Sequence, residues 1–489
     1  MNPGARHPTR RDLIRVGVAA GAALVAPRLG MAAGTQEREV LIRGGRVVNA
    51  EGIAVNDVRI VGERIAEVGR NLRPAAGAQV IDAAGKLVLP GGIDPHTHLH
   101  PSFADDLTSG SQAALAGGIT TVGTFATPAR GESALDALSR LEATVGREAI
   151  ADVILHASVW PPTPELIAVL PQLVERGQPS IKFYMVRTDW GANLEMVIKV
   201  LEAARAAGVV TMIHCEDGAL LAAAVRRLTA AGKTSLEHYP ESRPVVAEVT
   251  ATAQAAGLCE DTRAAMHIVH MSSARALDAC RAARAAGAPL TIETRPLFIH
   301  LDESKLRGPD HRLFVGQPPL RPRPDVNAMI RGLIDGSIDI LATDHAPWTR
   351  ELKMDPQLNI ARVRPGASDL QFMLPMFFSE GVGKRNCSLE RFVAATSTNA
   401  AKIFGLYPQK GVIRAGADAD IAIWDPRLTR PVRAEDDHGK SDYSPYEGWS
   451  VTGWPITVLR RGEVVVADGQ LRGAPGSGHL ARRTPAARS

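Results

Sequence analysis

From Lys86 onward the chain repeats one pattern: a short apolar run, a polar residue near its end, then an Ala-rich stretch with helical spacing. Eight such runs occur, at 86–94, 120–127, 152–159, 180–185, 209–214, 266–270, 289–293 and 338–343. Helical patterns fall between them at 132–145, 164–175, 194–207, 273–286 and 325–335. Alternation of strands and helices predicts a parallel sheet, and eight units predict an α/β fold closed as a (β/α)8 barrel of TIM type over residues 89–410. Such barrels carry their chemistry at the C-terminal ends of the strands. The polar residues at the ends of the eight runs are therefore the ones to read for function.

The flanks follow a different rhythm. Residues 38–88 and 411–472 alternate apolar and polar positions, as in Val40-Leu41-Ile42-Arg43 and Asp420-Ile421-Ala422-Ile423-Trp424. Short strands with Gly turns at both ends of the chain predict one composite β-sandwich beside the barrel. The tail at 473–489 is rich in Gly, Pro and Arg and is expected to lack fixed structure.

Composition narrows the picture. At 489 residues with 45% hydrophobic positions, the chain can bury a large catalytic domain and a smaller companion. Aromatics are only 4%, too few for a platform that stacks nucleobases. Thr9-Arg10-Arg11-Asp12-Leu13-Ile14 and the apolar stretch after it read residues 1–33 as a twin-arginine signal, which predicts an exported protein that meets the twin-arginine translocase in transit. A disordered basic tail is the alternative, and with it a cytoplasmic protein. The stretch is too short and too rich in Ala and Gly to span a membrane. Residues 1–36 hold five Arg and one Asp, a net of +4 that equals the formal charge of the whole chain. The remainder is close to neutral, so neither nucleic acid nor an anionic membrane surface has an electrostatic footing. Cys215, Cys259, Cys280 and Cys387 lack paired-motif spacing and are expected to be free thiols.

The strand ends carry a consistent chemistry. Run one ends in Asp94-Pro95-His96-Thr97-His98, and histidines two apart on an extended segment face the same way. Run four places Lys182 in an apolar strand, where an ammonium is disfavoured. Lys182 is then either half of a buried ion pair or a neutral amine that takes up carbon dioxide as a carbamate. A carbamate offers one oxygen to each of two metals, whereas a lysinium has no lone pair to give. His214 and His270 end runs five and six, and Asp344 ends run eight, with His345 beside it as a supporting partner. His267, three before His270, is expected to pack away from the site. His96, His98, Lys182, His214, His270 and Asp344 form a candidate site for two divalent ions bridged by carboxylated Lys182, a donor set that accepts zinc, manganese, cobalt or iron. Ions so held lower the pKa of a shared water and polarise a carbonyl oxygen, with Asp344 moving the proton to the departing nitrogen.

These motifs resemble the amidohydrolase superfamily, and most closely its hydantoinase/dihydropyrimidinase branch, over nearly all of residues 41–469. Asn399-Ala400-Ala401, Pro318-Pro319-Leu320-Arg321 and Asp442-Tyr443-Ser444-Pro445-Tyr446-Glu447-Gly448 match further segments of that branch. The resemblance implies a small-molecule cyclic ureide or imide as substrate and a homotetramer or homodimer. It also exposes departures at the positions that grip substrate. Arg187 stands where the branch has a tyrosine, with Tyr184 nearby at another offset. Gln317 replaces a serine, Pro365-Gly366 replaces asparagine-glycine, and His100 stands where relatives carry an acidic residue or an arginine. Arg187 and His100 are thus expected to bind a carboxylate or another electron-rich group. Two further readings keep the fold: hydrolysis of linear N-acyl or N-carbamoyl amides, and a non-catalytic binding or assembly protein.

Overall fold

The computed structural model describes residues 38–486, and the twin-arginine segment lies outside them. Eight parallel strands follow one another in chain order: Gly92–Thr97, Ile119–Ala126, Asp152–Ser158, Ser180–Tyr184, Val210–His214, Met266–Ile268, Leu290–Thr294 and Ile340–Leu341. A parallel bridge between Thr97 and His345 closes the ring, and the His98 amide donates to the His345 carbonyl at 2.7 Å. The predicted (β/α)8 barrel is present.

Local sequence explains the intervening helices. Pro164–Glu175 begins with Thr163, whose hydroxyl accepts from the Leu166 amide, and with a proline in the first turn, where no partner for its nitrogen is lost. Leu194–Ala207 ends at Gly208 in the left-handed conformation that favours glycine. Along the strands, alternate residues separate two cores. Val153 and Leu155 pack outward under the helices, whereas Ile154 joins Ile93, Phe125, Met212 and Ile340 in a second cluster with Ala400, Ala401 and Phe404. The short helix Asn399–Ile403 supplies part of that second cluster.

The two flanks build one nine-stranded sheet with its own core, the composite β-sandwich of the prediction. Its seam is Leu87–Pro90, which pairs with Glu39–Asn49 in parallel and with Ile421–Pro431 in antiparallel fashion. This divides the apolar run 86–94, predicted as a single barrel strand. Leu87–Pro90 belongs to the sandwich and Gly92–Thr97 to the barrel. The change of sheet occurs at Gly91, where a Cβ would stand 2.1 Å from the Thr120 hydroxyl. Both halves are buried, so hydrophobicity alone could not reveal the break.

A second difference concerns the C-terminus, expected to lack fixed structure. Residues up to Ala486 follow the foot of the barrel instead, with the Val153 amide donating to His479 and the Ala481 amide to Val153 at 2.9 and 2.8 Å. Arg483 is buried there and donates to the Leu155 carbonyl at 2.6 Å and the Ser180 hydroxyl at 2.9 Å. A Cβ at Gly478 would lie 2.1 Å from the Ala151 carbonyl, so the Gly-rich composition serves close backbone approach. Backbone pairing of this kind leaves no apolar pattern in the sequence.

Sandwich and barrel are joined by a buried ionic cluster. Lys410 reaches Asp152 at 2.6 Å and Asp418 at 3.2 Å and also pairs with Asp420, while Arg461 holds the other oxygen of Asp152. Removing one partner strands buried carboxylates, so Lys410→Met is expected to destabilise the fold by about 3–5 kcal/mol. Denaturant unfolding checks this; a loss under about 1 kcal/mol, the ceiling for an exposed pair, would show that the cluster is solvated.

Candidate active site

All six expected ligands come together at the C-terminal mouth of the barrel. His96, His98, Lys182, His214, His270 and Asp344 line one cavity of about 170 Å3, together with Tyr184, Gln317, Pro365 and Gly366. Ligand atoms of His96, His98 and Asp344 lie within 4.8 Å of one another. Asp344 Oδ1 stands 3.0 Å from His98 Nε2 and 3.3 Å from His96 Nε2. On the other side, the rings of His214 and His270 meet edge to face with centroids 4.4 Å apart, and His270 is 5.7 Å from His96.

Lys182 sits between these groups. It is paired in the sheet with Ser158 and Met212, and its ammonium nitrogen lies 5.4 Å from the centre of the Phe125 ring and 5.5 Å from that of Tyr184. The side chain is 1% exposed, and Nζ has no hydrogen-bond partner. Burial pulls its pKa down to about 8, against the opposing charges of Glu293 and Asp344. Of the two sequence readings of Lys182, the buried ion pair is not formed. A buried, unpartnered amine among four histidines and a carboxylate fits a bridging carbamate in a two-ion site.

The histidines are prepared for metal binding. Burial lowers His96 to about 4 and holds His270 well below its ordinary value, so both are neutral with a free lone pair. Asp344 stays ionised: burial opposes this, but the Arg295 guanidinium and the hydrogen bond with His98 outweigh it and hold the carboxyl well below its usual range. His270 and Asp344 have φ of +40° and +49°, left-handed values that cost non-glycine residues on the order of 1–3 kcal/mol and concentrate at functional sites.

Several groups that orient this site were not singled out from the sequence. Glu293, at the end of the seventh strand, contacts His96 Nδ1 with Oε1 and His267 Nε2 with Oε2 at 3.0 Å, and accepts from the His270 amide at 3.1 Å. One carboxylate thus fixes the ring of one ligand and the backbone of another. His267 is buried between Thr291 and Glu293, packed away from the ligands as expected. Glu216, held by Arg243, lies 2.9 Å from His214 Nε2. His345 pairs with Asp105 at 2.8 Å, a supporting contact rather than a ligand. Lys353 is buried and donates to the carbonyls of Val315, Arg364 and Gly366 at 2.8, 3.0 and 2.9 Å, tying the Gln317 loop to the Pro365-Gly366 loop. Lys353→Met should therefore raise KM for substrate about 10-fold or more, since it leaves the Arg364 and Gly366 carbonyls without their donor and unties the two loops; unchanged KM in steady-state kinetics would refute that role.

Two expected substrate contacts are not brought to this cavity. His100 is exposed and bonds to Ser102 at 3.1 Å. Arg187 is half exposed, with its guanidinium 5.3 Å from the centre of the Trp160 ring. Val186 lines the metal-site cavity, whereas Arg187, just past the turn that follows the strand Ser180–Tyr184, does not. Arg187 lines an adjoining cavity of about 600 Å3, for which Tyr184 is the shared wall.

Comparison with known proteins agrees with this geometry. Residues 87–465 match the amidohydrolase family. The D-hydantoinase of Geobacillus stearothermophilus is 35% identical over 455 residues, covering 91% of this chain and 96% of that protein. A D-phenylhydantoinase of Escherichia coli is 33% identical over 91% of this chain and 98% of its own length. The dihydropyrimidinase of Brevibacillus agri superposes with a TM-score of 0.88 at 34% identity, over 92% of this chain and all of the other. The shared fold, the shared length and the cluster at the barrel mouth lead to one conclusion: the chain belongs to the amidohydrolase family and resembles its hydantoinases and dihydropyrimidinases.

Proposed function

We propose that the protein is a metal-dependent hydrolase that opens the ring of a cyclic amide, a hydantoin, dihydropyrimidine or related ureide, at a pair of divalent ions bridged by carboxylated Lys182. The observation that carries this is the fully buried, unpartnered amine of Lys182 within reach of His96, His214, His270 and Asp344. The similar D-hydantoinases and dihydropyrimidinase support the substrate class. Zinc is the proposed metal, because neutral imidazoles with carboxylate oxygens suit it.

His96 and His98 would hold one ion and His214 and His270 the other, with Asp344 beside the first pair. The ions supply Lewis acidity toward a carbonyl oxygen and toward water. The protein supplies the rest. Asp344, ionised and held on one side by Arg295, takes a proton from the attacking water and returns it to the departing ring nitrogen. The Tyr184 hydroxyl, whose pKa burial raises to about 12, remains protonated as a donor at the cavity wall. A cavity of about 170 Å3 suits a single small ring and leaves little space for bulk water.

Chelation tests the reading. The metal-free protein should open no hydantoin or dihydropyrimidine, and zinc should restore turnover. Metal-independent turnover, or no turnover after reloading, would overturn it. The thermal midpoint should also fall on chelation, because ions that bind only the folded state stabilise it.

For localisation, the proposal is export by the twin-arginine route. The support is the Arg10-Arg11 pair and the short apolar stretch after it. Replacing both arginines by lysine should retain the protein in the cytoplasm. A homotetramer or homodimer is the proposed assembly, to be read by light scattering.

A further inference from the structure

Arg295 follows the seventh barrel strand and is fully buried. Its Nη1 donates to Asp344 Oδ2 at 2.9 Å, and Nη2 reaches the Asp344 carbonyl and Asp369 Oδ2, each at 3.4 Å. The other oxygen of Asp369 accepts from the Tyr446 hydroxyl at 2.8 Å. Tyr446 is fully buried and belongs to the 442–448 segment, none of whose residues lines the metal-site cavity. The chain Asp344–Arg295–Asp369–Tyr446 therefore runs from the candidate proton carrier to a motif with no place in the site itself.

The geometry divides the two oxygens of Asp344. Oδ1 faces His98 and His96, while Oδ2 rests on the guanidinium. A carboxylate can rotate about its last bond, and a guanidinium is a rigid planar fork that stops this rotation. Asp369 in turn prevents the fork from tilting, and the Tyr446 hydroxyl fixes Asp369. We propose that Arg295 is a positioning residue that sets which oxygen of Asp344 faces the ions and the substrate, and that Tyr446 acts on Asp344 through Asp369 and Arg295. This rests on the reading of Asp344 as a ligand and proton carrier.

The test uses Tyr446→Phe, Arg295→Met and Arg295→Lys in the full chain. With zinc loaded, Arg295→Met should lower kcat by about 10- to 100-fold with KM little changed, the usual scale for a group that orients a metal ligand. Tyr446→Phe, which deletes one oxygen, should give a smaller fall of the same kind. Arg295→Lys should not restore activity, since an ammonium lacks the fork, whereas added guanidinium should partly rescue Arg295→Met. A second readout does not need turnover. In the cobalt-loaded protein, Arg295→Met and Tyr446→Phe should both change the visible absorption bands, because Asp344 meets the ion differently. If the wild type opens no cyclic amide but the cobalt spectrum responds, the positioning role stands and the proposed function fails. If the wild type turns over while kcat and the cobalt spectrum of Tyr446→Phe match it, with only the thermal midpoint lowered, the chain is structural and the proposal is wrong. Tyr446→Phe also decides the matter if Arg295→Met does not fold.

Discussion

Replacing Lys182 with alanine is expected to lower kcat for ring opening by about 10^3-fold, the upper end of the scale for losing a preorganised electrostatic stabiliser. The expectation follows from where the residue lies. Lys182 is buried to 1% exposure in the fourth barrel strand, and its amine has neither an ion-pair partner nor a hydrogen bond. A buried amine left this way is a poor structural element, and its substitution by an apolar residue would ordinarily be neutral or stabilising. The carbamate reading keeps that stability pattern and adds a loss of metal and of activity. Lys182→Ala should retain or gain thermal stability in the metal-free state, yet fail to hold both ions. Adding a short carboxylic acid should restore part of the activity, since its two oxygens can occupy the space the side chain vacates. Wild-type activity in Lys182→Ala would show that the lysine bridges nothing.

Asp344→Asn is the second change of large expected effect. The amide keeps the shape of the carboxylate and one ligating oxygen, so metal content should change little. It cannot accept the proton of the attacking water, and general acid–base assistance amounts to about 10^2- to 10^4-fold. The fall should appear in kcat with KM nearly unchanged. Arg295 would then face a neutral amide at the position where it now pairs with Oδ2 at 2.9 Å. Loss of the ions in Asp344→Asn would instead make Asp344 chiefly a ligand.

What could be read from the chain and what could not has a physical cause. The barrel and the six candidate ligands were legible because strand ends punctuate the apolar runs: His96, His98, Lys182, His214, His270 and Asp344 each interrupt, close or directly follow one. The orienting groups were not, because their partners are remote in the sequence. Glu293 meets His96 across 197 positions, and Arg295 meets Asp344 across 49. Lys353 offers no signal either, since its partners are backbone carbonyls that any sequence supplies. Arg187 misled because a position counted along a motif does not say which way the side chain turns. Its neighbour Val186 takes the cavity wall instead. The C-terminal tail misled for a related reason. Many of its contacts with the barrel foot are backbone pairs, which tolerate Gly and Pro and leave no apolar rhythm.

The most direct measurement is turnover by metal-loaded protein on a panel that pairs cyclic amides with linear ones. Hydantoin, dihydrouracil, dihydroorotate, allantoin and a cyclic imide would be followed beside N-acyl and N-carbamoyl amino acids. The account predicts loss of at least one ring compound with gain of one water in the product, abolished by Lys182→Ala. Turnover confined to the linear amides, with both ions bound, would contradict it.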